Sequence, residues 1–277
     1  MQIYNINQSL YKFMFLMLLL SAGLIGLSLG LLGAGGSILT VPALTLFLGL
    51  DEKSAITSSM LIVGLISAVG GIKAYRNRQL DLSILVSFGI VSLPFAALGA
   101  RIGIWLPQGS QTLLLVAIMC IAAYKMFAST VRSDSDTSSS SYTNSMTTSV
   151  SAPPPSKRAL LTAAASVGLI TGVVGVGGGF LIVPALIFFT GIGMQKAVAN
   201  SLVLIVINAF TAFTTIAVGG HGVELDAIII ITMASIGAIC VLAGQSISSR
   251  LDQRTLKRGF STLIVLVAIW LLINLLY

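Results

Sequence analysis

The chain has 277 residues, of which 56% are hydrophobic and 8% are charged, and its formal net charge at pH 7 is +7; its mean hydropathy is +1.02. Because an ordinary soluble domain carries about 25% charged residues, this composition excludes a soluble globular protein and predicts an all-α polytopic membrane protein surrounded by the lipid bilayer. The fifteen Lys and Arg residues lie in short loops between apolar runs. That placement is typical of membrane topology and does not indicate a nucleic-acid partner.

Ten apolar segments, each a candidate helix, follow one another along the chain, five in each half. They lie at about 11–32, 37–49, 55–72, 82–104, 111–129, 159–175, 180–191, 197–218, 227–249 and 259–277. The residues between the halves are rich in Ser and Thr and end in three prolines, a composition that cannot form a packed element. The sequence therefore predicts a first transmembrane repeat at 1–128, a disordered linker at 129–158 and a second transmembrane repeat at 159–277.

The two halves are copies of one another. Residues 26–55 align with residues 168–197 without a gap, and 14 of the 30 positions are identical. Further along, after a three-residue insertion, Leu80 and Asp81 align with Leu225 and Asp226. This similarity exceeds what shared hydrophobicity produces, and it indicates an internal duplication of nearly the whole chain outside the linker.

The basic residues indicate that the two copies have opposite orientations. The loop after the third segment carries Lys73, Arg76 and Arg78, whereas its counterpart in the second copy is acidic. The next loop reverses the pattern, with four basic residues in the second copy and only Arg101 in the first. Because cytoplasmic loops collect Lys and Arg, equivalent loops face opposite sides, which is typical of an inverted-topology repeat.

A cytoplasmic linker places twelve of the fifteen basic residues inside and leaves Lys12, Lys53 and Arg101 outside. Both termini are then external, in a bacterial-type inner membrane. Inversion requires an odd number of crossings per half, which leaves two interpretations of the first two segments. The favoured one is a glycine-tipped, broken or re-entrant helix pair followed by about three spanning helices; the alternative is five crossings. A helix of 12 residues spans only about 18 Å, which favours the re-entrant pair.

A glycine cluster separates the first two segments of each half, and a proline follows five residues later. The first is GAGGS at 33–37, and the second is GVGGG at 175–179. Non-helical backbone at membrane depth is tolerated only where protein or a cavity surrounds it. Free N–H groups and the dipole of the helix that begins at about Ser37 or Phe180 would favour an anion. Packing alone is the alternative, as the pairs Gly26/Gly30 and Gly168/Gly172 indicate for their own helices.

Polar residues recur at equivalent places in the following helix, as Ser58 and Ser59 in the first copy and Asn200 and Ser201 in the second. They are interpreted either as donors to a bound oxyanion or as interhelical hydrogen-bonding groups. The predicted substrate-binding residues are Gly33, Gly35, Gly36, Ser37, Ser58, Ser59, Gly175, Gly177, Gly178, Gly179, Asn200 and Ser201. All eight acidic residues lie in loops or the linker, so the intramembrane carboxylates typical of proton and sodium relays are missing.

These motifs resemble those of the sulfite exporter TauE/SafE family, also called the sulfonate permease family. The resemblance rests on the doubled clusters, on VPAL four residues after each, and on the segments AITSS at 55–59 and AVANS at 197–201. Ser37 in place of glycine and Asn200 in place of threonine depart from the family pattern. The resemblance implies movement, often export, of sulfite or organosulfonates.

The sequence therefore predicts a transporter that exports a small anionic substrate by alternating access at a midplane site made by two helix N-termini. It predicts no enzyme activity, no cofactor and no metal, and it does not set the oligomeric state. A non-transporting membrane scaffold or assembly protein is the alternative. A polar cavity that reaches both glycine clusters would favour transport, and a dry core would favour the scaffold.

Overall fold

The computed structural model describes the chain except for residues 1, 34, 108–109, 112, 122–156, 175–178, 219–225 and 277. Most of the predicted linker therefore lies outside the described residues. The last two linker residues belong to a helix instead, because α6 begins at Lys157.

Ten helices account for the regular structure of the described residues, and no strand occurs among them. They are α1 (Gln2–Leu32), α2 (Gly35–Leu48), α3 (Glu52–Arg76), α4 (Leu82–Trp105), α5 (described over residues 113–121), α6 (Lys157–Val174), α7 (Gly179–Thr190), α8 (Met194–Val218), α9 (Ala227–Ser248) and α10 (Gln253–Leu276). Each coincides with one predicted apolar segment, so the prediction of an all-α polytopic membrane protein is confirmed.

The helices extend beyond several of the apolar segments. Helix α1 starts at Gln2, nine residues before its segment, because no Gly or Pro interrupts the polar residues that precede it. Helix α10 starts at Gln253, six residues early, through a polar first turn. Polar residues form a helix as readily as apolar ones once the backbone has begun one, so hydropathy marks the buried length better than the helix end.

Five of these helices are long and apolar enough to cross a bilayer. They are Lys53–Arg76, Leu82–Trp105, Met194–Val218, Ala227–Ser248 and Thr255–Ile273. Helices α2 and α7 are much shorter, with 14 and 12 residues, and each contains the proline that follows its glycine cluster. At 1.5 Å per residue they span about 21 and 18 Å, which is less than the hydrocarbon core.

Aspartates begin three of the long helices. The Asp81 carboxylate accepts from the amides of Ser83 and Ile84 at the start of α4, and Asp226 does the same at the start of α9. Asp51 accepts from the Ser54 amide at the start of α3. These carboxylates satisfy amides that have no partner within the helix, which explains why acidic residues sit at segment ends.

Helices of the two halves pack against each other in matched pairs. Helix α1 packs against α9, and α6, its counterpart in the sequence repeat, packs against α4. Helices α3 and α8, which are also counterparts, pack against each other. Small residues make the close approaches, as expected where lipid supplies no hydrophobic driving force between helices.

The glycine pairs predicted to serve packing do so. A Cβ on Gly30 would lie against the carbonyl oxygen of Val241 and 3.0 Å from the Cα of Gly244. A Cβ on Gly172 would lie against the carbonyl oxygen of Ala96 and 2.7 Å from the Ala100 nitrogen. No side chain fits between either pair of backbones, so glycine sets the spacing of both interfaces.

Candidate functional site

The first glycine cluster begins where α1 ends. The Gly33 amide donates to the Leu29 carbonyl at 2.8 Å, and its φ of +72° is one that side chains rarely adopt. A Cβ on Gly33 would lie 2.8 Å from the Ser201 Oγ and 2.8 Å from the Val198 Cα, both on α8. Gly33 therefore allows a sharp turn and a close contact with the other half at once.

Four more cluster residues lie in helix starts. Helix α2 begins at Gly35, two residues before the predicted start, so Gly36 and Ser37 belong to its first turn. A Cβ on Gly36 would lie 2.5 Å from the Ile25 carbonyl oxygen and 2.9 Å from the Leu29 Cβ, so Gly36 packs against α1. Helix α7 begins at Gly179, one residue before its predicted start.

The predicted site residues Gly175, Gly177 and Gly178 lie outside the described residues. The cluster in the second half is therefore represented in the structure by Gly179 alone, which is buried.

The polar pair of α8 has partners within the protein. The Ser201 hydroxyl donates to the carbonyl oxygens of Gly33 at 3.1 Å and Val198 at 2.8 Å. The Asn200 Oδ1 accepts from the Asp81 amide at 2.9 Å, and its Nδ2 donates to the Lys196 carbonyl at 2.8 Å. Of the two interpretations, these bonds favour the interhelical one, because both side chains join α8 to the first half.

The equivalent pair on α3 is equally buried. Ser58 is 3% exposed and Ser59 is 1% exposed, and the Ser59 hydroxyl donates to the Ile56 carbonyl at 2.7 Å. The structure thus brings Gly33 and Ser201 into contact and places all four polar residues in the interior. It does not bring the two pairs to a common cavity within the described part of the chain.

A small pocket lies where α3 begins; most of its lining is apolar, and Lys53, Thr57 and Gln111 supply its polar side chains. It has a volume of about 50 Å³ and is lined by Lys53, Ile56, Thr57, Met60, Ala100, Gly103, Ile104, Gln111, Gly172, Val173 and Ile216; we call it the Lys53 pocket. The Lys53 Nζ donates to the Ile104 carbonyl at 3.4 Å, and the Gln111 Nε2 donates to the Gly103 carbonyl at 2.6 Å. A water needs about 10–15 Å³ of such space, so the pocket has room for several.

A second polar pocket lies where α8 begins. It has a volume of about 20 Å³ and is lined by Gly30, Gln79, Gln195, Val198, Ala199, Gln245, Ser248 and Ser249; we call it the Gln195 pocket. The Gln195 Nε2 donates to the carbonyl oxygens of Ser248 at 3.2 Å and Leu251 at 3.3 Å. The Gln245 Nε2 donates to the Gly70 carbonyl at 2.9 Å and joins α9 to α3.

The two pockets occupy equivalent positions of the sequence repeat. Lys53 and Gln195 are aligned, and so are Gly30 and Gly172. In each pocket the side chain near the start of the helix, Lys53 or Gln195, donates to carbonyl oxygens at the end of α4 or α9. Each pocket lies beside the helix, α6 or α1, that leads into a glycine cluster.

The pockets differ in charge. Among the described residues that line the Lys53 pocket, Lys53 is the charged one, whereas amides and hydroxyls supply the polar groups of the Gln195 pocket. The nearby Asp51 carboxylate lines neither. The hydrogen bond from the Ser54 side chain lowers the pKa of Asp51, so this exposed carboxylate is ionised at neutral pH.

One buried polar contact near the middle of α8 has no polar counterpart. The Asn208 Oδ1 accepts from the Ser92 hydroxyl at 3.1 Å, and the Asn208 Nδ2 has no hydrogen-bond partner among the described residues. At the aligned positions of the other half, Ile66 lies against Gly237. The same helix contact is therefore polar in one half and apolar in the other.

Sequence reasoning missed the polar residues of the two pockets. From the sequence, Lys53 was considered only as one of three basic residues on the predicted external side. The missing signal was available in the aligned repeats, where position 53 and position 195 both carry long side chains that can donate hydrogen bonds. Gln111 and Gln245 carried no such signal, because their role depends on how helix ends meet.

A third cavity, of about 480 Å³, is a different kind of feature. It is lined by apolar residues of α1, α2 and α10, including Leu24, Phe47 and Trp270, with Ser21 as its single hydroxyl-bearing residue. It opens beside residues that a bilayer would cover, such as Leu20 and Ile269, which are 54% and 53% exposed. Its mainly apolar lining suits hydrocarbon better than an anion.

Comparison with known proteins places these features in a family. The family described as "Sulfite exporter TauE/SafE" matches residues 18–271. A protein named "Probable membrane transporter protein" from Xylella fastidiosa strain Temecula1 is 30% identical over 265 residues, which cover 91% of this chain and 92% of that protein. "Probable membrane transporter protein YunE" from Bacillus subtilis strain 168 is 26% identical over 274 residues, covering 90% and 94%. No solved structure matches the chain.

Proposed function

The chain belongs to the sulfite exporter TauE/SafE family, and from that premise we propose that it moves a small anion, sulfite or an organosulfonate, outward across a bacterial-type inner membrane. The main support for a transport function is the family match, which spans both halves of the chain. The sign of the substrate charge is supported by the membrane spans, none of which contains Asp or Glu among its described residues.

The proposed mechanism is alternating access between the two halves. Its support is the matched packing: α1 packs against α9, α4 against α6, and α3 against α8. Such pairing is expected of two inverted repeats that meet at a pseudo-two-fold axis. Two small pockets at equivalent positions fit the same two-repeat arrangement, each with polar side chains, although no described residue of a glycine cluster lines either one.

The proposed binding site consists of the cluster backbones at the starts of α2 and α7. A helix N-terminus presents free amides and about half a positive charge, which suits an oxyanion. Ser58 and Ser59 flank this site on α3. Asn200 and Ser201 contribute by holding α8 against the Asp81 amide and the Gly33 carbonyl.

The proposed topology follows from helix length and loop charge. With 14 and 12 residues, α2 and α7 fit re-entrant segments, which leaves three crossings in each half. The linker then lies in the cytoplasm and both termini lie outside, with one repeat at residues 1–128 and the other at 159–277.

Export of an anion can run without a coupling ion. A membrane potential of about 100 mV, negative inside, drives each negative charge outward with roughly 2.3 kcal/mol. Because no carboxylate occurs in the spans, the protein has no obvious acidic relay with which to drive uptake. The proposal is therefore an electrogenic exporter of uniporter type.

The test uses purified protein in proteoliposomes loaded with sulfite. We expect sulfite to leave the vesicles faster than from protein-free vesicles, and to leave faster still when valinomycin and a potassium gradient make the interior negative. Methanesulfonate and taurine in place of sulfite would define the substrate class. Efflux equal to that of protein-free vesicles would refute the proposal, and efflux indifferent to the potential would refute its electrogenic part.

A variant separates binding from packing. We expect Gly177→Val to abolish sulfite efflux while the protein still elutes as a folded species from size-exclusion chromatography. Gly259→Ala is the matched control, because nothing lies within 4 Å of a Cβ at that position. Normal efflux by Gly177→Val would assign the glycine cluster a packing role instead.

A further inference from the structure

The two polar pockets allow the effect of one side chain to be separated from that of the architecture. They are built from aligned residues of the sequence repeat, by the start of α3 or α8, the end of α4 or α9, and the end of α6 or α1. Two pockets with the same walls would treat an anion alike. Their difference in chemistry therefore lies in the aligned positions that carry different residues in the two copies, above all Lys53 and Gln195.

Hydrogen-bond capacity distinguishes these two side chains. An amide has two N–H donors, and the Gln195 Nε2 uses them on the carbonyl oxygens of Ser248 and Leu251. An ammonium has three donors, and within the described structure Lys53 makes a single hydrogen bond, a long one of 3.4 Å to Ile104. Lys53 thus keeps donors for a ligand, whereas Gln195 does not.

Charge adds to the same difference. An oxyanion attracts the Lys53 ammonium and gains nothing comparable from a neutral amide, and a charge-assisted hydrogen bond is roughly twice as strong as a neutral one. Among the residues that the structure places around the Lys53 pocket, none is a carboxylate that would neutralise the ammonium. Lys53 is exposed, so an ion can reach it from water without unfolding the helix start.

Size defines the ligand class. The Lys53 pocket, at about 50 Å³, has room for a few waters or one small ion, and the Gln195 pocket, at about 20 Å³, has room for about one water. Thr57 and Gln111 line the Lys53 pocket as buried polar groups, 3% and 8% exposed. A compact oxyanion such as sulfite suits these walls better than a bulky organic acid.

We propose that the Lys53 pocket is an oxyanion-binding vestibule on the membrane face where α3 begins, and that Lys53 gives this face its affinity for the substrate. The Gln195 pocket is its neutral counterpart on the opposite face. This inference rests on the proposed function and deepens it, because it assigns a side chain to the external face, where an exported anion leaves the protein.

The experiment measures sulfite binding to the purified full chain as the sulfite concentration that gives half the maximal rise in Tm. For Lys53→Gln we expect about a tenfold higher concentration than for wild type, and for Lys53→Arg a change of less than about threefold. Gln195 already makes the corresponding carbonyl contacts in the other pocket, so Lys53→Gln is expected to fold.

Arg101→Gln is the matched control. It removes one positive charge from the same end of α4, where Arg101 is exposed, but Arg101 does not line the pocket. We expect its half-maximal concentration to stay within about twofold of wild type, because an exposed charge outside the pocket is screened by salt.

Two outcomes would overturn the vestibule alone: Lys53→Gln binding sulfite as wild type does, or Lys53→Gln and Arg101→Gln weakening it equally. If Lys53→Gln fails to fold, the reciprocal Gln195→Lys decides, because a second ammonium is expected to tighten sulfite binding at least about threefold. Absence of saturable binding and of efflux in the wild type would overturn the proposed function together with this inference.

Discussion

At Gly30 and Gly172 the two halves of the molecule are interchangeable, and at Lys53 and Gln195 they are not. A Cβ on Gly30 would meet the backbone of α9 at Val241 and Gly244, and a Cβ on Gly172 would meet α4 at Ala96 and Ala100. The side chains that enclose the pockets beside these same glycines differ in charge and in free donors.

This comparison shows that glycines at helix contacts and side chains that line pockets are under different constraints. Backbone contact tolerates no side chain, so both copies retain glycine. A pocket wall needs only a long donor that reaches a helix end, a requirement that Lys and Gln both meet. The copies can therefore diverge in chemistry while their helices keep the same spacing.

The largest expected effect comes from the shared packing. Gly30→Val and Gly172→Val should each lower the free energy of unfolding by about 1–3 kcal/mol, because the valine side chain forces two backbones apart. That corresponds to a fall in Tm of about 2–6 °C, measurable by differential scanning fluorimetry. Gly259→Ala should leave Tm within about 2 °C, because its Cβ would meet nothing within 4 Å.

The comparison also requires the two valine variants to have similar effects. If one variant kept the wild-type Tm while the other unfolded, the interface of α1 with α9 would not be equivalent to that of α6 with α4.

An exchange of the two pocket residues is expected to have the next largest effect. In the double variant Lys53→Gln/Gln195→Lys, the net charge is unchanged but the ammonium moves to the other pocket. In proteoliposomes of defined orientation, the face with the lower half-saturating sulfite concentration should switch, with a difference of about tenfold between faces.

A double variant that keeps the wild-type preference between faces would show that the walls, rather than Lys53, decide the difference. Its Tm serves as the control, since both exchanged residues lie at helix starts and neither has a charged hydrogen-bond partner among the described residues.

The smallest expected effect concerns the start of α3, where Asp51 aligns with Gly193 of the other half. The pKa of Asp51 is lowered in the folded protein, so its ionised form contributes stability above the unfolded-state pKa of about 4, and this contribution is lost as pH falls through the folded-state pKa. Because Asp51 is exposed and screened, the contribution is at most about 0.5 kcal/mol.

Asp51→Asn keeps an N-cap acceptor and removes only the charge. The Tm of wild type should exceed that of Asp51→Asn by about 1–2 °C at pH 6 and 7, and the difference should vanish near pH 3. A difference that persists at pH 3 would point to the geometry of the cap rather than its ionisation.

Much of the fold could be predicted from the sequence, because membrane helices are recognised by the length and apolarity of their segments. The ten segments, the packing role of Gly26/Gly30 and Gly168/Gly172, and the family were all predicted and are confirmed. Helix starts were off by one or two residues at Gly35 and Gly179, because a glycine in a first turn looks the same in sequence as one in a loop.

The candidate site was less predictable, because it depends on contacts between distant segments. Nothing local in the sequence reveals that Ser201 bonds to Gly33 or that Asn200 bonds to the Asp81 amide. The polar pockets depend on where the ends of α4 and α9 meet the starts of α3 and α8. Only the alignment of Lys53 with Gln195 could have pointed to them.

The bond between Asn200 and the Asp81 amide also bears on turnover. It joins α8 to the turn that starts α4, so any motion that separates these helices must break a hydrogen bond between buried Asn200 and that turn. Breaking such a bond costs about 1 kcal/mol, equivalent to roughly a fivefold change in rate. Under the proposed alternating access, Asn200 would therefore act as a modest brake on helix separation, one that a single substitution could release without removing any group from the pockets.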